Sequence, residues 1–139
     1  MKKEQNSSLR IIDANLNRCR EGLRVVEDTL RYALNDAVLY KKIRLIRHNA
    51  DKILRNDYGG LIIERDTITD YGRVMPETVK KKLSAIIIAN FKRAQESLRV
   101  LEEYSKTIFP EASHLFKRQR YAIYDCEKSV YLKYKKFFG

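Results

Sequence analysis

Apolar residues near the start of the chain recur at alternating intervals of three and four. They are Leu9, Ile12, Leu16, Cys19, Leu23, Val26, Leu30 and Ala33. This spacing lines one side of an α-helix, so it predicts a long helix that packs against other helices. We expect the helix to begin near Leu9, capped by Ser7 or Ser8, and to end at Asn35 and Asp36.

Three further helices follow from the same kind of spacing. We predict the second over residues 38–54 and the fourth over about 111–134. The third begins at Pro76 and stops at Pro110, because proline fits the first turn of a helix but not its interior. Helices of this kind bury their apolar sides against one another, which predicts an all-α domain.

One segment of the chain is present twice. Residues 14–28 are repeated at 89–103 with the same apolar positions. The repeats also share five polar pairs, which are Asn15 with Asn90, Arg18 with Arg93, Glu21 with Glu96, Arg24 with Arg99, and Glu27 with Glu102. Each repeat and the helix after it form a hairpin, and two such hairpins bury their apolar sides as a four-helix bundle.

We therefore predict a single domain over residues 1–139, with internally duplicated helical hairpins and one ordered loop between the halves. Its parts are a first repeat at about 8–56, a loop at 57–75 and a second repeat at about 76–138. Within the connection, residues 61–72 lack helical periodicity, and the apolar run 61–63 predicts one short strand.

The loop carries the side chains best suited to phosphate and metal chemistry. These are Arg65, Asp66, Asp70 and Gly72. Arginine holds phosphate oxygens, aspartate binds Mg²⁺ or accepts a proton, and glycine permits a sharp turn beside a ligand. A solvent-exposed connector without a site is the alternative interpretation.

The repeated polar residues also allow two interpretations. Arg18, Glu21, Arg24 and Glu27 follow one another at intervals of three, which is suited to ion pairs on a helix surface. Other members of the set border the apolar side of the helix, where burial and ligand binding are both open. These are Asn15, Glu27, Asn90 and Glu102.

Charge and composition narrow the function without deciding it. The chain has 29 Lys plus Arg against 18 Asp plus Glu, a net charge of +11, which attracts phosphorylated small molecules, nucleic acid or acidic lipid. Neither the two cysteines nor the two histidines form a metal-ligand cluster, and no glycine-rich phosphate loop is present. With no signal peptide and no membrane-spanning run, we expect a cytoplasmic protein.

Four stretches of the sequence together resemble a known family. They are Asp13-Ala-Asn-Leu-Asn-Arg18, Glu21-Gly-Leu-Arg-Val-Val-Glu-Asp28, the Arg65-Asp66 and Asp70-x-Gly72 loop, and Ala89-Asn-Phe-Lys-Arg93 with Glu96-Ser-Leu-Arg-Val-Leu-Glu-Glu-Tyr104. They are similar to the helical domain often fused ahead of thiamine-phosphate synthase, which is described as an alternative hydroxymethylpyrimidine-phosphate kinase of thiamine biosynthesis. The resemblance runs from about Arg10 to Tyr121.

The resemblance implies that a pyrimidine monophosphate is phosphorylated to the diphosphate, with ATP as co-substrate and Mg²⁺ as cofactor. One departure is Asp70-Tyr71-Gly72, where the family is expected to have Asp-Val-Gly. The sequence ends at Gly139 without a synthase barrel, so we expect any coupling to thiamine-phosphate synthase to occur between separate proteins.

We place the site where the loop 64–73 meets Asn15, Glu27, Asn90 and Glu102, with the loop acting as a lid. Arg65 is assigned to phosphate, and Gly72 to the turn that permits close approach. Asp66 and Asp70 are the candidate catalytic residues, which bind Mg²⁺ or accept the proton of a substrate hydroxyl. Arginines that point away from the apolar side are secondary phosphate ligands; they are Arg18, Arg24, Arg93 and Arg99.

Two other functions remain open. A nucleic-acid-binding helical module is favoured by the charge and by clusters such as Lys80–Lys82, but the repeated motif mixes arginine with glutamate, and we expect no specific nucleic acid and no membrane as partners. A non-catalytic partner or regulatory domain of thiamine-phosphate synthase is the other. Val25 and Val100, expected to be exposed, favour a homodimer.

Overall fold

A computed structural model of the chain describes residues 2–139, and within this range the protein is helical, with connecting turns and no strand. The helices are α1 (Lys2–Asp28), α2 (Ala37–Lys52), α3 (Tyr58–Ile63), α4 (Leu83–Ile108) and α5 (Pro110–Lys133). A π-helical turn, Thr29–Ala33, extends α1. The all-α prediction is confirmed, and no helix of residues 2–139 is long and apolar enough to cross a membrane.

The long helices pack around one apolar core. Helix α1 contacts α2 and α4, and α5 contacts the same two helices from the other side. Most of the apolar positions that recur at intervals of three and four face this core, and Leu23 and Leu98 are fully buried. Ala33, the last of the first series, is exposed. Val25 and Val100 are half-buried within the single chain, so the expectation that they are exposed was wrong.

Helix α1 begins earlier than its apolar pattern suggested. It starts at Lys2, and the hydroxyl of Ser7 donates a hydrogen bond to the carbonyl oxygen of Lys3 within the helix instead of capping it. Residues 2–5 contain no glycine or proline, so nothing in them stops the helix. The predicted end is right, because Asn35 has a positive φ of 52° and Asp36 caps α2 by accepting from the Leu39 N–H.

Two predictions for the middle of the chain were wrong. Residues 61–63 belong to helix α3 and form no strand, since Leu61 is buried and α3 packs on α1. Helix α4 begins at Leu83, not at Pro76. Residues 75–82 are all exposed, so a helix there would bury no apolar side, and the three lysines at 80–82 would oppose the positive end of its dipole.

Helices α1 and α4 approach each other closely at Gly22. A Cβ atom at this position would lie 3.1 Å from the Asn90 carbonyl oxygen and 3.7 Å from the Cβ of Arg93. Glycine leaves room for the backbone of α4, which a larger residue would push away. This contact fixes how the outer surfaces of α1 and α4 meet.

Candidate functional site

The outer surfaces of α1 and α4 and the loop after α3 enclose a groove of about 640 Å³. Helix α1 lines it with Ser7, Arg10, Ile11, Ala14, Asn15 and Arg18, the loop with Thr69, Asp70 and Tyr71, and α4 with Val100 and Tyr104. Cations, one carboxylate and two aromatic rings thus share one concave surface. Below, this surface is called the loop groove.

The loop is held on α1 by long-range contacts. The guanidinium of Arg65 donates two hydrogen bonds of 2.8 Å to the two carboxylate oxygens of Asp13. One turn earlier on α1, Arg10 donates to the carbonyl oxygen of Asp66 at 3.0 Å. These contacts attach the loop to α1. A phosphate role for Arg65 stays a prediction, and only the N–H groups that do not contact Asp13 are available for it while that ion pair holds.

Asp66 and Asp70, the two candidate catalytic carboxylates, differ in their surroundings. Asp66 accepts hydrogen bonds from the backbone N–H groups of Ile68 and Thr69 and from the Thr69 hydroxyl. The Thr69 side-chain and backbone bonds lower the pKa of Asp66. Its oxygens thus shape the loop and do not line the groove.

Asp70 is the loop carboxylate that lines the loop groove. Its Oδ1 accepts from the Gly72 N–H at 2.9 Å, which starts the short 3₁₀ turn Tyr71–Val74. Gly72 thus supplies the N–H group that orients Asp70. The second oxygen of Asp70 takes part in no hydrogen bond within residues 2–139, so it is free to bind a cation.

Asn15 and Asn90 form the same kind of hydrogen bond within their two helices. Each side-chain amide donates to the carbonyl oxygen one turn earlier, Asn15 to Ile11 and Asn90 to Ile86, both at 2.9 Å. The oxygen of Asn15 also accepts from Arg18 at 3.4 Å. Asn15 and Arg18 lie in the loop groove, and Asn90 does not.

Glu27 and Glu102 also correspond, but both lie in helix interfaces. The Arg47 guanidinium donates to the two oxygens of Glu27 at 3.2 and 3.1 Å, joining α1 to α2. Arg120 donates to both oxygens of Glu102 and so joins α5 to α4. The structure therefore does not bring Glu27 and Glu102 to the loop.

The repeated arginines divide into two pairs. Arg24 lies 3.6 Å from Glu27 and 3.4 Å from Asp28, and Arg99 lies 3.7 Å from Glu102 and 3.1 Å from Glu103. The pairs Arg24–Glu27 and Arg99–Glu102 were expected from the spacing, but their glutamates are buried. Glu21 and Glu96 form no ion pair within residues 2–139. Arg18 and Arg93 form no ion pair within residues 2–139.

Three of the predicted site residues, Asn15, Arg18 and Asp70, thus share the loop groove. The sequence reasoning missed Arg10 and Tyr104, which complete it. Arg10 stands eight residues before Arg18 and Tyr104 directly follows the second repeat, so helical spacing was the available signal. Among residues 2–139, no group of three or more His, Cys, Asp or Glu side chains is arranged to hold a metal ion.

Comparison with known proteins gives the chain its family. The model of the ThiD2 family matches residues 10–129. Thiamine-phosphate synthase of Nostoc punctiforme is 38% identical over 124 residues, covering 87% of this chain and 34% of that protein. Thiamine-phosphate synthase of Rhodopirellula baltica is 37% identical over 134 residues, covering 94% of this chain and 36% of that protein.

The chain spans about a third of the length of these curated relatives. No solved structure matches it. The family match includes the segments 14–28 and 89–103 and every residue that lines the loop groove except Ser7. Because this match covers most of the chain, the protein belongs to the ThiD2 family.

Proposed function

We propose that the chain is an ATP-dependent kinase of thiamine biosynthesis, which converts hydroxymethylpyrimidine phosphate to its diphosphate. The observation that carries the proposal is the loop groove, where Arg10, Arg18, Asp70 and two tyrosines converge. Membership of the ThiD2 family and relatives named thiamine-phosphate synthase support the same pathway.

The groove suits a small phosphorylated aromatic compound. Tyr71 and Tyr104 offer ring faces against which a pyrimidine can stack. Arg10 and Arg18 lie on the same side of α1 and bring two positive charges to one wall. Guanidinium groups bind phosphate oxygens through paired N–H donors, so the part of this wall at Arg10 is the proposed seat of the substrate phosphate.

In this reaction the protein mainly positions the two substrates and stabilises their negative charge. An oxygen of the substrate phosphate attacks the γ-phosphorus of ATP, the bond to the β-phosphate oxygen breaks, and ADP leaves. A phosphate monoester has a second pKa of about 6, so the attacking oxygen is already ionised near neutral pH. No general base is then needed, and the proposed role of Asp70 is metal binding.

The residues present fit Mg²⁺ held mainly by the nucleotide. Mg²⁺ in kinase sites uses one or two protein carboxylates with substrate phosphates and water, and the free oxygen of Asp70 supplies one such ligand. Asp66, whose oxygens accept three hydrogen bonds from the loop, is proposed to hold the loop in shape.

The direct test is a product assay on the purified full chain. Hydroxymethylpyrimidine phosphate, ATP and Mg²⁺ are supplied, and both ADP and the pyrimidine diphosphate are measured by chromatography. We expect the two products to appear in equal amounts and neither to form without Mg²⁺. ADP release that does not depend on the pyrimidine substrate, with no diphosphate formed, would contradict the proposal.

A second candidate is a non-catalytic partner or regulatory domain of thiamine-phosphate synthase. It is favoured by relatives of that name, of which the chain covers about a third. The two candidates make different predictions for a mixture with a purified synthase. A regulatory partner changes the synthase rate when the pyrimidine diphosphate is supplied ready-made, whereas the kinase is required only when the monophosphate is supplied.

We further propose that the two halves are copies of one helical hairpin, related by a rotation near two-fold within a four-helix bundle. Support comes from matched contacts, since Asn15 and Asn90 donate to equivalent carbonyls and Glu27 and Glu102 accept from equivalent arginines. Superposition of 14–28 with 89–103 in a crystal structure tests this. A good fit that also carries α2 onto α5 is expected, and a fit restricted to the two segments would contradict it.

A further inference from the structure

Arg18 and Arg93 occupy corresponding positions in the two repeats and are both exposed. The neighbouring repeated arginines, Arg24 and Arg99, each lie near two carboxylates of their own helix. Arg18 instead has one long contact with the Asn15 oxygen, at 3.4 Å. The guanidinium groups of Arg18 and Arg93 are thus available to bind a ligand.

The close approach of α1 and α4 brings these two arginines together. The side chain of Arg93 starts beside Gly22, since its Cβ lies 3.7 Å from where a Cβ of Gly22 would stand. Arg18 precedes Gly22 by one helical turn on the same strip of α1, which is about 6 Å along the helix. Their long side chains can therefore reach one anionic group between the helices.

The paired arginines continue the loop groove. Arg18 lines the groove together with Asn15 and Asp70. Arg93 does not line the groove and starts beside Gly22, one helical turn further along α1 than Arg18. A row of cations thus leads from the groove across the line where α1 meets α4, and this arrangement suits a chain of linked phosphates better than a single phosphate.

We propose that Arg18 and Arg93 jointly bind the polyphosphate chain of a nucleoside triphosphate, which lies across α1 and α4 at Gly22 with its terminal phosphate in the loop groove. Each guanidinium presents a fixed fork of N–H donors, so two of them can hold successive phosphates. The internal repeat contributes one arginine from each half to a single site. This inference rests on the proposed function, because the loop groove is taken as the seat of the acceptor substrate.

The test is calorimetric binding of inorganic tripolyphosphate to the full chain at physiological salt. We expect Arg18→Gln and Arg93→Gln each to weaken binding at least about tenfold, where tenfold corresponds to about 1.4 kcal/mol. The double variant should lose no more than the two single losses combined, because both arginines hold one ligand. Thermal melts should be unchanged, since among residues 2–139 neither side chain forms an ion pair.

Arg44→Gln and Arg118→Gln are matched controls, because both residues are exposed and lie on α2 and α5, away from Gly22. They remove the same charge and should change the affinity less than about twofold, as unfocused charge does. Equal losses in all four variants would overturn the inference. So would an Arg93→Gln variant that binds like wild type while Arg18→Gln is weakened.

Failure of the kinase assignment and failure of the shared arginine site give different results. If the chain binds tripolyphosphate through both arginines but forms no pyrimidine diphosphate, the shared site stands and the kinase assignment falls. If the diphosphate forms normally while Arg93→Gln retains wild-type tripolyphosphate affinity, the kinase assignment stands and the shared site falls.

Discussion

At the residue scale, Glu27 and Glu102 show why a repeated polar residue can be structural. A carboxylate buried in a helix interface needs a positively charged partner. The side chain of Glu27 is 2% exposed and that of its partner Arg47 is 14% exposed. Removing one member of such a pair leaves an uncompensated buried charge. The repeated glutamates are thus explained by packing, and the arginines that pair with them come from α2 and α5.

We expect Glu27→Gln to lower the free energy of unfolding by up to about 3 to 5 kcal/mol, because Arg47, largely removed from solvent, is left without its counter-charge. Urea denaturation monitored by circular dichroism measures this change. Glu21→Gln is the control, since Glu21 is exposed and surface substitutions change stability by less than about 0.5 kcal/mol. Equal, small effects for both variants would show that the Glu27 pair is unimportant for folding.

The lowered pKa of Asp36 determines how this residue makes the free energy of unfolding depend on pH. Burial alone raises the pKa of Asp36, but hydrogen bonds from the Leu39 N–H, Lys133 and Tyr134 outweigh it and bring the pKa well below its ordinary value. A lowered pKa in the folded state stabilises the protein above the unfolded pKa of about 4, and this stabilisation is lost as the pH falls further. The bonds from Lys133 and Tyr134, both 2.6 Å, also anchor the end of α5.

We expect Asp36→Asn to destabilise the protein at pH 7, and to destabilise it progressively less as the pH falls below about 4, because only the charge is removed. Asparagine keeps the cap of α2, since it is as good an N-cap residue as aspartate. Urea melts over this pH range measure the difference in unfolding free energy. A difference that is constant with pH would rule out the charge as its source.

At the element scale, the ion pair between Arg65 of the loop and Asp13 of α1 helps to hold the loop on the helix. We expect Asp13→Asn to release Arg65 and to speed tryptic cleavage at Arg73 several-fold, with little change in the thermal midpoint. The reason is that Arg65 is 38% exposed, and exposed pairs contribute only about 0 to 1 kcal/mol to global stability. Local opening controls proteolysis of a loop.

Asp125→Asn serves as the control for this experiment, because Asp125 is exposed on α5 and its side chain forms no ion pair within residues 2–139. Its cleavage rate should equal that of wild type. An Asp13→Asn protein cleaved no faster than the control would show that the Asp13 pair does not hold the loop.

The elements differ in how far the sequence could predict them. The long helices were predictable because their apolar side repeats every three or four residues, as in the run that contains Leu23. Helix α3 was not, because six residues show no such period and Leu61 is fixed by contact with α1. The delayed start of α4 likewise depends on which residues reach the core.

The candidate site was predictable to a smaller extent. The repeat singled out Asn15 and Arg18, and the loop composition singled out Asp70, all of which line the groove. The sequence could not pair Arg65 with Asp13, which stands 52 positions away, because many carboxylates in the chain could serve as its partner. The sequence also led us to place Glu27 at the site, which the structure does not do. Helical spacing does not reveal which neighbouring helix covers a residue.

At the scale of the whole molecule, the net charge of +11 predicts weak and unselective binding to polyanions. We expect affinity for DNA or RNA to be independent of sequence and to fall steeply as salt rises, because it comes from counterion release. Fluorescence anisotropy with two unrelated oligonucleotides over a range of salt concentrations measures this. Tight binding that distinguishes the two sequences at physiological salt would favour a nucleic-acid-binding module over the kinase.

The central claim is that the loop groove is a kinase site in which Asp70 helps to bind the metal. The most direct measurement is kcat for formation of the pyrimidine diphosphate by wild type, Asp70→Asn and the exposed control Asp125→Asn, each over a range of Mg²⁺ concentrations. If Asp70 helps to bind Mg²⁺, Asp70→Asn should lower kcat at least about a hundredfold, which corresponds to roughly 2.7 kcal/mol in activation free energy. High Mg²⁺ should restore part of the loss, whereas Asp125→Asn should behave as wild type. An Asp70→Asn protein with the wild-type kcat and Mg²⁺ dependence would contradict the account.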